Sequence, residues 1–232
     1  MHQIQSQKQT GFTLIEIAIV LVIIGLLLGG VLKGQELITS ARVRNIITQQ
    51  DGIKAAFYGF QDRYRAMPGD YAQAMANITG AGGNGNGNGQ IELAGAVVSS
   101  SKPEEHILVW DHLSHAGFLT GSFVFNVAPS PATSPTNPYN VVLQLIHDIV
   151  YFDATSPSPS RLNLKTGNQV PVEILAEIDR KIDDGNAQRG VFRFSAYVAP
   201  LGTAPPVTCY NSTTFDWAPT SGQINCGGAS LF

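Results

Sequence analysis

Glu16 is the residue whose surroundings most need a chemical explanation. Residues 12–15 precede it and residues 17–32 follow it, and neither stretch contains another charge. An ionised carboxylate is costly inside hydrocarbon and needs a partner there. The position of Glu16 therefore indicates a paired, functional carboxylate.

Cys209 and Cys226 are the only two cysteines in the chain of 232 residues. Two thiols this close in sequence favour one disulfide if the chain leaves the cytoplasm. The bridge would close a loop of roughly 18 residues and contribute about 3 kcal/mol in the chain-entropy model. We expect this disulfide; two unpaired thiols are the alternative.

A Gly/Asn tract over residues 80–89 contains a pattern that resembles a calcium-binding loop. Asn84, Asn86 and Asn88 alternate with other residues, and Glu92 follows. Calcium loops usually carry Asp at such positions, and three neutral amides supply oxygens without charge. We expect a flexible turn and no cofactor here, with calcium as the alternative.

Two further groups offer metal ligands. His112 and His115 are spaced i, i+3 and could bind a transition metal, although a solvated polar face explains them equally well. Asp183 and Asp184 could bind a cation, and Asp183-Asp184-Gly185 is also a tight-turn signal. None of these patterns is specific, so no metal site is assigned.

Composition and motifs argue against catalysis and against nucleic-acid binding. The chain has no G-x-S-x-G motif, no Cys–His nucleophile pattern and no phosphate loop with its Lys. Its formal charge is −3, so the chain has no excess of basic residues. Nucleic-acid binding usually requires such an excess. We expect a protein that is not an enzyme.

A membrane-length apolar run must position Glu16. With residues 12–15, the uncharged stretch over residues 17–32 is long enough to span a hydrocarbon core of about 30 Å. A secretory signal would place a small-residue cleavage site after the run, and residues 39–41 could pass for one. Glu16 inside the run and Gly11 directly before it oppose that interpretation.

We predict that the run continues as one helix from residue 12 to about residue 66. Over residues 35–64 its apolar positions follow steps of mainly 3, 4 and 7, which define one buried face. Met67-Pro68-Gly69 should end the helix. Asp70 then looks like the N-cap of a short helix over residues 71–76.

The rest of the chain combines helical and strand signals. Residues 104–116 and 171–182 are predicted helices. Residues 123–127 and 191–198 are predicted strands, and residues 141–152 form a strand or a buried helix. We expect an α+β fold, in which a long N-terminal α-helix, transmembrane then amphipathic, packs on an antiparallel β-sheet head.

The residues Gly11-Phe12-Thr13-Leu14-Ile15-Glu16 resemble the G-F-T-L-[IV]-E motif of type IV prepilins and type II secretion pseudopilins. The resemblance implies a pilin-like fold. It also implies that a prepilin peptidase/methylase cuts between Gly11 and Phe12 and methylates the new N-terminus. The expected organisation is a leader over residues 1–11, a transmembrane assembly helix over 12–34 and a periplasmic head over 35–232.

The resemblance also implies that Glu16 governs assembly by pairing with the Phe12 amine of a neighbouring subunit. One position departs from the family, because Lys33 stands where many members have Pro. A cluster of glycines lies nearby and could let the helix bend or let helices pack closely; its members are Gly25, Gly29, Gly30 and Gly34.

The function implied is that of a structural subunit, a minor pilin or pseudopilin, of a type IV pilus or type II secretion-like filament. Its partners would be other pilin subunits and an inner-membrane assembly platform. It would span the bacterial inner membrane once, with a periplasmic head, and then enter a periplasmic or extracellular filament. A pilus-borne adhesin or DNA-uptake subunit is the alternative.

Overall fold

A computed structural model provides the structure of the chain. It forms two compact units, which divide between Ala41 and Arg42. Gly11 and Phe12, the predicted cleavage pair, lie outside the described residues. The described residues are 13–93, 104–126, 128–152, 158–200 and 202–232.

Helix α1 covers Leu14–Tyr64, 51 residues without a break. In the first unit its large apolar side chains are exposed over residues 14–32. In the second unit one face of α1 is buried and includes Ile46, Ile53 and Phe60. The predicted change from an apolar helix to an amphipathic one is therefore confirmed.

Among the described residues of the second unit, three shorter α-helices follow: α2 (Ala74–Asn77), α3 (Glu105–His115) and α4 (Val172–Ile182). The predictions for α3 and α4 are confirmed to within one residue at each end. Gly117, just beyond α3, has a φ of 80°, the left-handed conformation that a glycine adopts readily after a helix.

The described residues contain four short strands: β1 (Gln144–Asp148), β2 (Arg161–Lys165), β3 (Phe192–Phe194) and β4 (Gly228–Leu231). They form an antiparallel sheet in the order β1-β2-β4-β3. Residues 141–152, predicted as a strand or a buried helix, contain β1. The strand β4 lies between β2 and β3.

The two largest apolar clusters of the described residues lie in the second unit. In one, Phe60 of α1 packs with Trp110 of α3 and with Leu145 and Leu164 of the sheet. The other joins the start of the buried face of α1 to α4, β3 and the C-terminal segment that holds the two cysteines. The α+β architecture predicted from the sequence is confirmed.

Three local predictions are wrong. Asp70 does not cap a helix over residues 71–76, since α2 begins only at Ala74. Residues 123–126 form no strand. In residues 191–198 only Phe192–Phe194 form a strand. The sequence pattern did not show which segments would have a neighbouring strand to pair with.

Cys209 and Cys226 form the predicted disulfide. Both cysteines are fully buried, and they belong to the cluster that contains Ile46, Leu175 and Phe192. The backbones of Cys226 and Val170 also exchange two hydrogen bonds, at 2.9 and 3.1 Å. The bridge therefore ties the C-terminal loop to the residues that lead into α4.

We expect the Cys209→Ala/Cys226→Ala double variant to lose about 2–4 kcal/mol of unfolding free energy, because the unfolded chain regains the entropy of an open loop. Denaturant titration of the full-length protein in detergent micelles measures the change. Wild-type protein in reductant should show a similar loss. An unchanged midpoint would contradict a stabilising bridge.

Candidate functional site

Glu16 lies in the first turn of α1 and forms a capping box with Thr13. Its Oε2 accepts hydrogen bonds from the backbone N–H of Thr13 at 2.8 Å and from Thr13 Oγ1 at 2.7 Å. The N–H of Glu16 donates back to Thr13 Oγ1 at 3.3 Å. The spacing Thr13-x-x-Glu16 is the sequence signature of this motif, which the prediction overlooked.

Only one oxygen of Glu16 is used in this cap. Among the residues that the structure describes, none donates a hydrogen bond to Oε1. The side chain is exposed. The capped carboxylate therefore keeps one oxygen for a donor from outside the described chain.

The residues after the cap present an apolar surface. The most apolar stretch of α1 has no buried residue. By length and composition, α1 alone among the described helices could cross a membrane. A Cβ atom added to any of four glycines would meet no atom within 4 Å; they are Gly25, Gly29, Gly30 and Gly34.

The residues considered as alternative calcium ligands lie on one loop, where their oxygens accept hydrogen bonds from the chain itself. Asn86 Oδ1 and Asn88 Oδ1 each accept the N–H two residues further on, at 2.8 Å. Asn84 Oδ1 accepts the N–H of Met75 at 2.9 Å. Glu92 Oε2 accepts Asn88 Nδ2 at 2.8 Å.

Two buried carboxylates hold this loop, and sequence patterns did not connect them with it. Asp70 accepts the N–H groups of Asn88 and Gly89 at 3.0 and 2.9 Å. Glu105 of α3 accepts the N–H of Asn86 at 2.8 Å and that of a second loop residue at 3.1 Å. These hydrogen bonds connect the Gly/Asn tract to Asp70 and Glu105, whereas a flexible turn was expected.

Asp111 and His112 of α3 hold neighbouring loop segments. Asp111 accepts two backbone N–H groups, the first from Gly82 at 2.9 Å. His112 Nδ1 accepts the N–H of Gly69 at 2.9 Å, and Nε2 lies 3.0 Å from the carbonyl oxygen of Gly83. A neutral ring with its proton on Nε2 satisfies both, and burial lowers the pKa of His112. The solvated face proposed for this helix is therefore wrong.

The structure brings Asp183 and Asp184 together with Asp179, which sequence patterns had not singled out. One oxygen of each carboxylate lies within 4.8 Å of the others. The pKa of Asp179 is raised to about 7, chiefly by burial and also by the charges of Asp183 and Asp184. A hydrogen bond from Trp217 and the nearby amide of Gly185 act in the opposite direction.

The pH dependence of stability tests the role of Glu105. Burial raises its pKa from 4.5 to about 7, against the effect of the two loop N–H groups, and the charges of Asp70 and Glu92 add to the rise. Because the folded-state pKa is the higher one, Glu105 contributes most below pH 4.5 and loses that contribution as pH rises through 7.

We expect wild type to lose about 3 kcal/mol relative to Glu105→Gln across this interval. Urea titrations of both proteins at several pH values measure the difference, and the histidines present in both cancel. Glu173→Gln, on the exposed side of α4, is the control and should follow wild type. A difference between wild type and Glu105→Gln that stays constant with pH would contradict the assignment.

Comparison with known proteins gives one match. The family model described as prokaryotic N-terminal methylation motif matches residues 6–32, which include Gly11, Phe12, Glu16 and the first part of α1. No curated protein and no solved structure matches the chain. The motif is the signature of type IV prepilins and pseudopilins, and it implies processing by a prepilin peptidase and assembly with other pilins. Together with the apolar α1 it indicates membrane anchoring, and it supports a type IV pilin- or pseudopilin-like precursor.

Proposed function

We propose that this chain is a structural subunit, a minor pilin or a pseudopilin, of a type IV pilus or type II secretion-like filament. One observation carries the proposal: the methylation motif leads directly into α1, whose first part exposes apolar side chains all round. A helix without such a surface could not pack against the helices of neighbouring subunits in a filament.

The exposed apolar surface over residues 14–32 needs a non-aqueous environment. Soluble monomers rarely expose continuous apolar patches of more than a few hundred Å². A bilayer covers the helix before assembly, and the helices of neighbouring subunits cover it afterwards. The same residues thus serve first as an anchor and then as an interface.

Cleavage between Gly11 and Phe12 creates the partner that Glu16 needs. The new N-terminus carries a positive amine, and methylation leaves that charge in place. Thr13 donates hydrogen bonds to Oε2 of Glu16 in the cap. Oε1 can therefore accept a hydrogen bond from the Phe12 amine of an adjacent subunit. In a medium of low dielectric constant this attraction is strong enough to define the axial register of two helices.

The size of the head, residues 35–232, favours a minor or tip-proximal subunit over a major pilin. The precursor would cross the bacterial inner membrane once, with its head in the periplasm, and an assembly platform in that membrane would extract it. The absence of catalytic motifs from the sequence agrees with a role in assembly and not in catalysis.

The mature N-terminus tests processing. We expect mass spectrometry of protein from its native host to find a methylated Phe12 as the first residue, because Gly11 directly precedes the retained helix. In a host that lacks the peptidase, the leader should stay attached. A mature chain that begins after Ala41 would refute the proposal and indicate a conventional secretory signal.

The role of Glu16 in assembly is tested by three single variants. Glu16→Ala should be cleaved normally but enter sheared filaments about tenfold less, which corresponds to a loss of about 1.4 kcal/mol per contact. Thr13→Ala removes part of the cap and leaves the carboxylate, so its effect should be much smaller. Glu36→Ala is the control, because Glu36 lies on the same helix and makes an exposed pair with Lys33 at 2.7 Å.

Quantitative immunoblots of filament and membrane fractions give both readouts. Equal losses in Glu16→Ala and Thr13→Ala would mean that Glu16 acts only as a helix cap. Normal incorporation of Glu16→Ala beside wild-type cleavage would exclude the pairing with Phe12.

A further inference from the structure

The Gly/Asn tract contains three Asn-Gly pairs in succession, which are Asn84-Gly85, Asn86-Gly87 and Asn88-Gly89. An asparagine that precedes glycine is especially prone to deamidation, because glycine has no Cβ to hinder the attack of its own backbone nitrogen. All three asparagines are exposed to water. The sequence therefore places a chemically labile segment on the surface of the head.

Deamidation of such a pair proceeds in two steps. The glycine nitrogen loses its proton and attacks Cγ of the asparagine, so that a new C–N bond forms, the bond from Cγ to Nδ2 breaks and ammonia leaves. Water then opens the resulting succinimide at either carbonyl group, which gives aspartate or isoaspartate. Water is the only co-reactant. The reaction therefore needs a glycine N–H that can lose its proton and an asparagine side chain that can rotate onto the nitrogen.

The fold engages the attacking nitrogen of every pair. The N–H of Gly85 donates to the carbonyl oxygen of Tyr71 at 3.0 Å, and the N–H of Gly87 donates to that of Asp70 at 3.0 Å. The N–H of Gly89 donates to Oδ2 of Asp70 at 2.9 Å. A nitrogen that donates a hydrogen bond gives up its proton less readily, so each pair reacts mainly when the loop opens locally.

The side chain of Asn88 is held at both of its polar atoms. Its Oδ1 accepts the N–H of Gln90 at 2.8 Å, and its Nδ2 donates to Oε2 of Glu92 at 2.8 Å. Its own N–H donates to Oδ1 of Asp70 at 3.0 Å. Rotation of the side chain toward the nitrogen of Gly89 would break the first two of these bonds.

Asp70 adds a charge to this protection. Its side chain is buried, and its two oxygens accept the N–H groups of Asn88 and Gly89. Loss of the proton from Gly89 would place a negative nitrogen against this carboxylate, at a site where charges interact more strongly than in water. The acceptors of Gly85 and Gly87 are neutral carbonyl groups. Asp70 therefore opposes the reaction at Asn88 as a neutral acceptor would not.

We infer that Asn88 is a deamidation site and that Asp70 suppresses the reaction there while the head is folded. The product would carry a carboxylate where Nδ2 of Asn88 now donates to Glu92, so two carboxylates would face each other. The hydrogen bonds of Asp70 thus preserve the covalent structure of the tract as well as its conformation. This inference concerns the head alone and does not depend on the proposed assembly function.

Peptide mapping by mass spectrometry tests the inference. Full-length protein in detergent micelles is aged at neutral pH, and fragmentation of the tract peptide follows the conversion of each asparagine. We expect Asn88 to convert at least about tenfold more slowly in folded wild type than in wild type unfolded in guanidinium chloride, because a hydrogen bond to a charged group must first open. Unfolded protein should convert the three asparagines at similar rates.

Asp70→Asn tests the role of the carboxylate. The variant keeps the size of the side chain but loses the charge and one of the two acceptors. We expect Asn88 to convert at least about tenfold faster than in folded wild type. Asn84 should keep its wild-type rate and is the reference within the same molecule, because the carbonyl oxygen of Tyr71 holds the glycine N–H of that pair.

Glu105→Gln is the matched control. Glu105 accepts the N–H groups of Asn86 and Glu92 in the same loop, so this variant weakens the attachment of the loop and leaves Gly89 with its acceptor. Asn88 should therefore convert at the wild-type rate in Glu105→Gln.

Hydrogen exchange gives a readout in wild type that needs no variant. Base-catalysed exchange of a backbone amide passes through the same nitrogen anion as deamidation. The amide of Gly89, held by a carboxylate, should therefore exchange more slowly than the amide of Gly87, held by a carbonyl group.

Four results would overturn the inference. The first is conversion of Asn88 in folded wild type at the rate of the unfolded chain, and the second is a wild-type rate in Asp70→Asn. The third is equal acceleration of Asn84 and Asn88 in Asp70→Asn, or of Asn88 in both variants, because general loosening of the loop would explain it. The fourth is exchange at Gly89 that is as fast as exchange at Gly87.

Discussion

The structure of the head depends on finding acceptors for loop amides. Its four strands contain only three to five residues each, so most of its backbone lies outside regular pairing, and buried N–H groups need acceptors from side chains. Asp70, Glu105, Asp111 and His112 accept such groups. Loops that would otherwise be costly to bury are thereby fixed against α3 and the sheet.

Sequence patterns predicted the helices, which depend on local periodicity. They missed the side-chain hydrogen bonds to residues that are distant in sequence. The bounds of α1, α3 and α4 follow from apolar spacing and from nearby breakers, and the disulfide follows from there being only two cysteines. Asp70 was assigned to a local cap, but its partners are the amides of residues 18 and 19 positions away. His112 binds the amide of a residue 43 positions away, a pairing that no local pattern encodes.

The capping box at the start of α1 shows a different limit of the prediction. The spacing Thr13-x-x-Glu16 is that of a capping box. The prediction considered only the cost of placing the charge of Glu16 in hydrocarbon. The two explanations are compatible, because the cap uses Oε2 alone. Thr13 donates two hydrogen bonds to Oε2 and so orients the carboxylate, and among the described residues none donates to Oε1.

The two groups of carboxylates in the head differ in how their charge is balanced. At the Gly/Asn tract, both oxygens of Asp70 and both oxygens of Glu105 accept backbone N–H groups, so the chain itself supplies the positive ends of dipoles. At the end of α4, Asp179 accepts a hydrogen bond from Trp217, Asp183 accepts two backbone N–H groups and Asp184 accepts one. These donors do not offset burial and the proximity of three acids, which together raise the pKa of Asp179 to about 7. Local sequence patterns could not reveal this difference, because the donors that reach Asp70 and Asp179 come from residues that are distant in sequence.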